Sequence, residues 1–239
     1  MADLLYPPVI GAARAWFKAL DLRFDVHGSE HVPAHGGAVL VSNHISYLDF
    51  IFTGLAARPA KRLVRFMAKD SVFRHKVSGP LMRAMKHIPV DRSRGEHAYT
   101  HALGALRAGE IIGVFPEATI SRSFTLKDFK SGAARLAQEA RVPLVPMALW
   151  GTQRLWTKGH KRDFGRNHLP ITIRVGPPVS PDPDETALSL TDRLRERVHD
   201  LLETAQRAYP ASPGGAADSW WQPAHLGGTA PTPAQARAL

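Results

Sequence analysis

Between residues 22 and 208, short apolar runs alternate with stretches of helical spacing, and no other feature constrains the fold as tightly. Residues 22–26, 38–42, 63–68, 88–90, 111–115, 144–149 and 171–175 read as strands. Residues 47–57, 76–86, 96–108, 132–140 and 191–208 read as helices. Strands that alternate with helices predict an α/β fold: one domain with a largely parallel central sheet flanked by helices. A chain of 239 residues, 44% of them hydrophobic, is long enough to bury one core of that kind. Such sheets take their ligands at the carboxyl ends of their strands, which says where chemistry should lie.

The two ends of the chain read differently. Over 9–20 the residues Val9, Ile10, Ala13, Trp16, Phe17 and Leu20 recur at helical spacing, with Arg14 and Lys18 between them. An N-terminal amphipathic helix is expected over 1–20, either packed on the core or lying in a lipid headgroup zone. The α/β domain then occupies 21–208. From 209 to 239 Pro, Gly, Ala and Thr dominate and periodicity is lost, which predicts an irregular C-terminal tail, flexible or draped on the domain. Within it Trp220 and Trp221 are adjacent indoles that should dock on the domain or touch lipid, docking being favoured.

Charge and cysteine content narrow the partners. Lys plus Arg number 31 against 21 Asp plus Glu, a net charge of +10. A surface of that sign attracts polyanions: an anionic membrane, phosphorylated substrates or nucleic acid. The basic residues are dispersed and no nucleic-acid motif is present, so nucleic acid is not expected as a partner. No cysteine occurs, which excludes disulfides, thiolate metal ligands and a cysteine nucleophile. The N-terminus has no secretion-signal layout, and no run approaches the roughly 18 apolar residues of a spanning helix. A peripheral protein on the cytoplasmic face of the membrane is expected. Its contacts would come from the first helix, from Lys61, Arg62 and Arg65, or from the two indoles.

The chemistry concentrates at strand ends. His44 follows the strand at 38–42, and Asp49 lies one helical turn into the next helix, from where its carboxylate can reach one ring nitrogen. That contact fixes the tautomer and leaves the other nitrogen free to accept a proton. Ser46-Tyr47-Leu48-Asp49 also fits a capping box, so Asp49 has a purely structural alternative. The strand at 111–115 ends in Pro116, followed by Glu117, Thr119 and Ser121, then by Arg122, Lys127 and Lys130. The strand at 88–90 leads into Arg92 and Arg94, residues suited to holding phosphate.

These blocks resemble those of the glycerolipid acyltransferases, the 1-acylglycerol-3-phosphate acyltransferases. Asn43-His44-Ile45-Ser46-Tyr47-Leu48-Asp49 matches the family's N-H-x-S-x-x-D at each fixed position. Phe115-Pro116-Glu117-Ala118-Thr119-Ile120-Ser121 is similar to F-P-E-G-T-R-S. Ile88-Pro89-Val90-Asp91-Arg92 resembles the block ending in a phosphate-contacting Arg, and Val142-Pro143-Leu144-Val145-Pro146 resembles V-P-x-x-P. Lys69 sits where the family often has a Lys near the acceptor phosphate. The tail is similar to that of actinobacterial members.

The resemblance implies transfer of a fatty acyl group from acyl-CoA, or acyl-carrier protein, to the hydroxyl of a lysophospholipid. His44 and Asp49 would be catalytic. Asn43, Ser46, Lys69, Arg92, Glu117, Ala118, Thr119, Ser121, Arg122 and Lys130 would bind substrate. Backbone amides at the helix start after Ser46 would receive the oxyanion. No metal and no cofactor are implied beyond the acyl-CoA co-substrate. Two positions depart from the pattern, Ala118 for Gly and Ile120 for Arg, and the second removes a natural phosphate clamp. The alternatives are an acyltransferase for another lysophospholipid or a glycolipid, an acyl ester or thioester hydrolase, and, distantly, a non-enzymatic basic binding module.

Overall fold

The computed structural model describes residues 6–76, 78–91, 95–210 and 219–239. Its elements run α1 (Tyr6–Ala19), β1 (Arg23–His27), β2 (Ala38–Ser42), α2 (Asp49–Ala56), β3 (Val64–Lys69), α3 (Asp70–Arg74), α4 (Ser78–Ala84), β4 (Ile88–Val90), α5 (Gly95–Arg107), β5 (Ile111–Val114), α6 (Gly132–Ala140), β6 (Leu144–Trp150), β7 (Pro170–Val175), α7 (Ala187–Ala208) and α8 (Pro233–Ala238). The strands form one seven-stranded sheet in the order β1-β7-β6-β2-β5-β3-β4. Every pairing is parallel except β6 with β7. This is the expected α/β fold.

Burial follows position in the sheet. All residues of β2 and β6 are buried, as central strands covered on both faces require, whereas the edge strand β1 is mostly exposed. Pro146 interrupts β6 without harm. It pairs with Val41 of β2 at a point where β7 has not yet joined, because β7 pairs only from Met147 onward. One core lies beneath α1 and α2 and includes Phe17, Phe52 and Phe66. A second lies beneath α5, α6 and α7. A third, around Ile45, Phe124, Trp150 and Trp221, joins the tail to the domain.

Two sequence expectations need correction. A helix over 76–86 is not what forms. The chain makes α3, opens at His75 into an extended conformation, and restarts at Ser78. Pro80 accounts for the late start, since proline is tolerated in the first turn of a helix but not deeper. Arg62 and Arg65 are not available to a membrane either. Arg65 is buried and paired with Glu110 at 2.7 Å. The Arg62 guanidinium donates to the carbonyls of Pro33, Gly36 and Gly109.

The N-terminal helix is docked. Tyr6 donates its hydroxyl proton to the Val64 carbonyl at 2.6 Å, and the Phe17 ring stacks on Phe52 at 5.1 Å. Its outward face carries Arg14 and Lys18. No helix among the described residues is long and apolar enough to cross a membrane.

Candidate active site

Because β2, β5, β3 and β4 are adjacent and parallel, their carboxyl ends lie along one edge of the sheet. The turn after β2 carries His44, the loop after β5 carries Glu117, and β3 ends on Lys69. Residues distant in sequence are thereby neighbours.

The Asp49 carboxylate organises the turn. It is fully buried. Its Oδ2 accepts from His44 Nδ1 at 2.9 Å and from the backbone N–H groups of Ile45 and Ser46, each at 2.7 Å. Its Oδ1 accepts from the Thr152 hydroxyl at 2.7 Å. A carboxylate only accepts, so the imidazole proton sits on Nδ1 and Nε2 has its lone pair free. One side chain thus holds both the imidazole and the amides of the turn, whereas the capping box expected over Ser46 to Asp49 does not form: α2 is N-capped at Leu48 without a side-chain bond. The imidazole stacks on Phe115 with centroids 4.4 Å apart and 19° between planes, and Phe115 stacks in turn on Phe66. The His44 side chain keeps 21% of its surface open to solvent.

Glu117 ties the second block to the first. Its Oε1 accepts from the His44 N–H at 2.8 Å and its Oε2 from the Lys127 N–H at 3.1 Å. The Ser121 N–H donates to the His44 carbonyl at 2.7 Å. Burial pushes the Glu117 carboxyl up to about 7, against the opposing pull of those two N–H donors.

The other expected site residues divide into two groups. Asn43 is buried with its amide used up: Nδ2 donates to the Leu149 carbonyl and Oδ1 accepts from the Leu149 N–H, joining the end of β2 to β6. Ser46 is also buried. It donates to the Trp156 carbonyl at 2.7 Å and accepts from the Leu48 N–H. The Ser121 hydroxyl donates to the Thr125 carbonyl. All three shape the turn from within. Lys69, Ala118, Thr119 and Lys130 are exposed, and the Lys127 ammonium donates to the Thr119 hydroxyl. Ala118 has φ 61°, the left-handed region a glycine would adopt without strain. Ile120 is packed away at 9% exposure. Arg92 and Arg94 lie outside the described residues.

The amides after Ser46 do not form an oxyanion site as expected. The Tyr47 N–H donates to the Trp156 carbonyl, and the Leu48 N–H to Ser46. Sequence reading also missed Phe115 as the platform under His44, Thr152 as the second support of Asp49, and Trp156 as the anchor of Ser46. Gly113 was the one available signal for the platform. A glycine inside an apolar strand marks a close approach, and a Cβ there would strike the Phe66 ring on which Phe115 stacks.

Comparison with known proteins agrees with this fold. A family model described as Acyltransferase matches residues 23–150, from β1 to the end of β6. Over 212 residues the chain is 32% identical to the 1-acyl-sn-glycerol-3-phosphate acyltransferase of Limnanthes douglasii, an alignment that covers 87% of this chain and 70% of that one. It is 30% identical over 190 residues to the protein of the same name from Bacillus subtilis, covering 74% of this chain and 86% of its relative. Among solved structures, the 1-acyl-sn-glycerophosphate (LPA) acyltransferase, PlsC, of Thermotoga maritima superposes with a TM-score of 0.68 at 25% identity, covering 84% of this chain and 78% of that one.

Proposed function

The chain belongs to the acyltransferase family, and from that premise we propose that it transfers a fatty acyl group from acyl-CoA or acyl-carrier protein to the free hydroxyl of 1-acylglycerol-3-phosphate. His44 is the general base and Asp49 its orienting partner. The observation that carries this reading is the Nδ1–Asp49 bond, which leaves Nε2 as the acceptor in a histidine stacked on Phe115 and still open to solvent.

In the reaction His44 Nε2 takes the proton of the acceptor hydroxyl as its oxygen attacks the thioester carbonyl. A C–O bond forms, the C–S bond breaks, and the proton passes from the imidazolium to the leaving thiolate. Transfer is direct. The Ser46 hydroxyl donates to Trp156 and makes no bond to His44, which argues against an acyl-serine intermediate. Base catalysis of this kind is worth about 10²–10⁴-fold, and holding both substrates in line supplies further rate. Lys69 and the loop from Glu117 to Lys130 are proposed to face the acceptor headgroup, with Arg92 beside them by sequence position. No metal is called for. The lipid substrates and the net charge of +10 support a peripheral location at the cytoplasmic face of an anionic membrane.

One observation favours a second reading of the acceptor. Ile120 is buried, so no cation occupies that position of the loop, and another lysophospholipid or a glycolipid would then take the place of lysophosphatidate. The test is purified protein with a panel of lysolipids and mixed acyl-CoAs, read by mass spectrometry. Phosphatidate formation that falls about 10²–10⁴-fold in His44→Ala is the expected result. Near-full transfer by that variant, or free fatty acid as the sole product, overturns the reading.

A further inference from the structure

The segment that follows β6 sets a row of aromatic rings beside the His44 turn. Tyr47, in that turn, is 44% exposed. Its ring packs on Trp156 at 4.8 Å, and the Trp156 carbonyl accepts from the Ser46 hydroxyl and the Tyr47 N–H. Trp156 meets Phe164 edge-on at 6.3 Å, and Phe164 meets Trp16 of α1 edge-on at 5.1 Å. Trp16, Trp156 and Phe164 pack on the first core yet stay partly open to solvent. The loop between Trp156 and Phe164 is pinned at three points. The Thr157 hydroxyl donates to the Ile45 carbonyl at 2.6 Å, the Asp163 N–H donates to the Leu155 carbonyl at 2.8 Å, and the His160 ring stacks on Trp220 at 4.0 Å. Lys158, Lys161 and Arg162 on this loop are exposed, and none of them is paired with a carboxylate among the described residues. The Arg162 guanidinium lies over the Phe164 ring at 6.0 Å, which sets charge against the ring row. Asp163, the one acid of the loop, accepts from the Gly165 N–H and the Asn167 amide.

Partly open indole and phenol rings beside unpaired cations match the headgroup zone of a bilayer. There an aromatic ring has its apolar body covered and its polar tip wet, and Lys and Arg are drawn to anionic lipid. We propose that the row Tyr47, Trp156, Phe164 and Trp16, with Lys158, Lys161 and Arg162 beside it, is the face by which the protein docks on an anionic lipid bilayer. The row begins in the turn that carries His44, so docking brings the general base to the depth at which a lysolipid presents its hydroxyl. For that benefit to turnover the inference rests on the acyl-transfer reading, whereas binding to lipid does not. The tail indoles are engaged elsewhere: Trp221 packs on Trp150 and Tyr209, and Trp220 on Phe124 and His160.

The test uses the full chain and vesicles of phosphatidylcholine, alone or mixed with phosphatidylglycerol. Flotation should show partition onto the mixed vesicles that weakens with added salt. It should fall by about 10²-fold when Lys158→Gln, Lys161→Gln and Arg162→Gln are combined, as three cations near an anionic surface amount to. With brominated phosphatidylcholine in the mixed vesicles, at saturating lipid, tryptophan emission should be quenched in the wild type and largely spared in Trp16→Phe combined with Trp156→Phe, whose phenyl rings keep the packing. Quenching that survives there and falls in Trp220→Phe assigns the contact to the tail and overturns the proposal. Partition unchanged by the triple substitution also overturns it. So does a wild type that binds neither vesicle, and a dimer broken by Tyr47→Ser would then give the face to a second copy. On vesicle-borne lysophosphatidate the triple variant should turn over more slowly, while on a water-soluble short-chain analogue it should match the wild type. An equal loss on both overturns the link between docking and turnover. Should the wild type float as expected and yet acylate no lysolipid, the acyl-transfer reading fails and the docking face stands.

Discussion

Asp49 offers the sharpest separation of folding from catalysis, because two substitutions at one position ask different questions. In Asp49→Ala the carboxylate disappears and leaves the Ile45 and Ser46 N–H groups and the Thr152 hydroxyl without acceptors in a buried place. Each orphaned group costs about 1–3 kcal/mol, and with partial relief from entering water the sum is about 3–5 kcal/mol. That is a large share of a total stability of about 5–15 kcal/mol. Loss of activity in this variant is therefore ambiguous. Asp49→Asn keeps the shape and removes the charge. Three donors converge on Oδ2 and one hydroxyl, free to rotate, sits on Oδ1, so the amide has one favourable orientation. Its oxygen keeps the three N–H donors and its NH₂ faces Thr152, which turns to accept. The His44 tautomer is preserved. This differs from a Ser-His-Asp triad, where an amide in place of the carboxylate selects the wrong tautomer and costs about 10⁴-fold. Here the loss is that of a charge-assisted bond to the imidazolium, about 1.5–3 kcal/mol or roughly 10–150-fold in kcat. The assay is initial-rate acyl transfer beside urea denaturation. Asp49→Asn should unfold near the wild-type midpoint with that intermediate rate. Wild-type turnover would make Asp49 purely structural, and a folded variant as dead as His44→Ala would refute the tautomer reasoning.

Three further outcomes follow from the same geometry. Glu117 holds its proton up to about pH 7 when folded but only to about 4.5 as a free side chain. The native state therefore carries the extra proton between those values, and stability should fall as the pH rises through that window, by on the order of 3 kcal/mol. Urea midpoints from pH 4.5 to 8 should show this slope in the wild type and lose it in Glu117→Gln, whereas parallel curves would rule it out. Ala118→Gly should raise stability by about 0.5–1 kcal/mol, the strain relieved at φ 61° less the entropy a glycine adds to the unfolded chain, read as a higher urea midpoint. Gly113→Ala puts a methyl group into the Phe66 ring, costs about 1–3 kcal/mol and slows transfer by shifting Phe115 beneath His44. Unchanged midpoint and rate there would mean the ring yields freely.

What the sequence made legible depended on whether a signal was local. The strands at 38–42 and 88–90 and the helix at 132–140 appear with the expected bounds, because apolar spacing and flanking glycine or proline define them within a few residues. The His44–Asp49 pair was legible for the same reason: one turn of chain connects the two groups. Thr152, which supports Asp49 from 103 residues away, had no such signal, and neither did Trp156 under Ser46 at 110 residues. Asn43 shows a role that spacing does not reveal. Its place in a motif suggests contact with substrate, yet its amide completes the hydrogen-bond ladder between β2 and β6, a role visible only once those strands are adjacent.

Strand order is what turns these scattered residues into a site, and it also explains why the turn at His44 is so heavily supported. Four segments hold it: Asp49 from within, Leu149 through Asn43, Thr152 and Trp156 from the stretch after β6, and Glu117 and Ser121 from the loop after β5. The Ile45 carbonyl accepts from Thr157 at 2.6 Å, and the Ile45 side chain packs in the same cluster as Trp221. A general base must be held to a fraction of an ångström to be effective. A short turn between a strand and a helix lacks that stiffness by itself, so it is borrowed from neighbours on both sides. The tail is one of those neighbours. Its residues stand outside the span that matches the family model, and yet Trp221 shares a packed cluster with Ile45, the residue next to His44, and Trp220 packs on Phe124 in the loop after β5. Trp221→Ala should therefore lower turnover by loosening the cluster that holds Ile45, read as a slower initial rate of acyl transfer, and an unchanged rate would mean that the tail does not stiffen the turn.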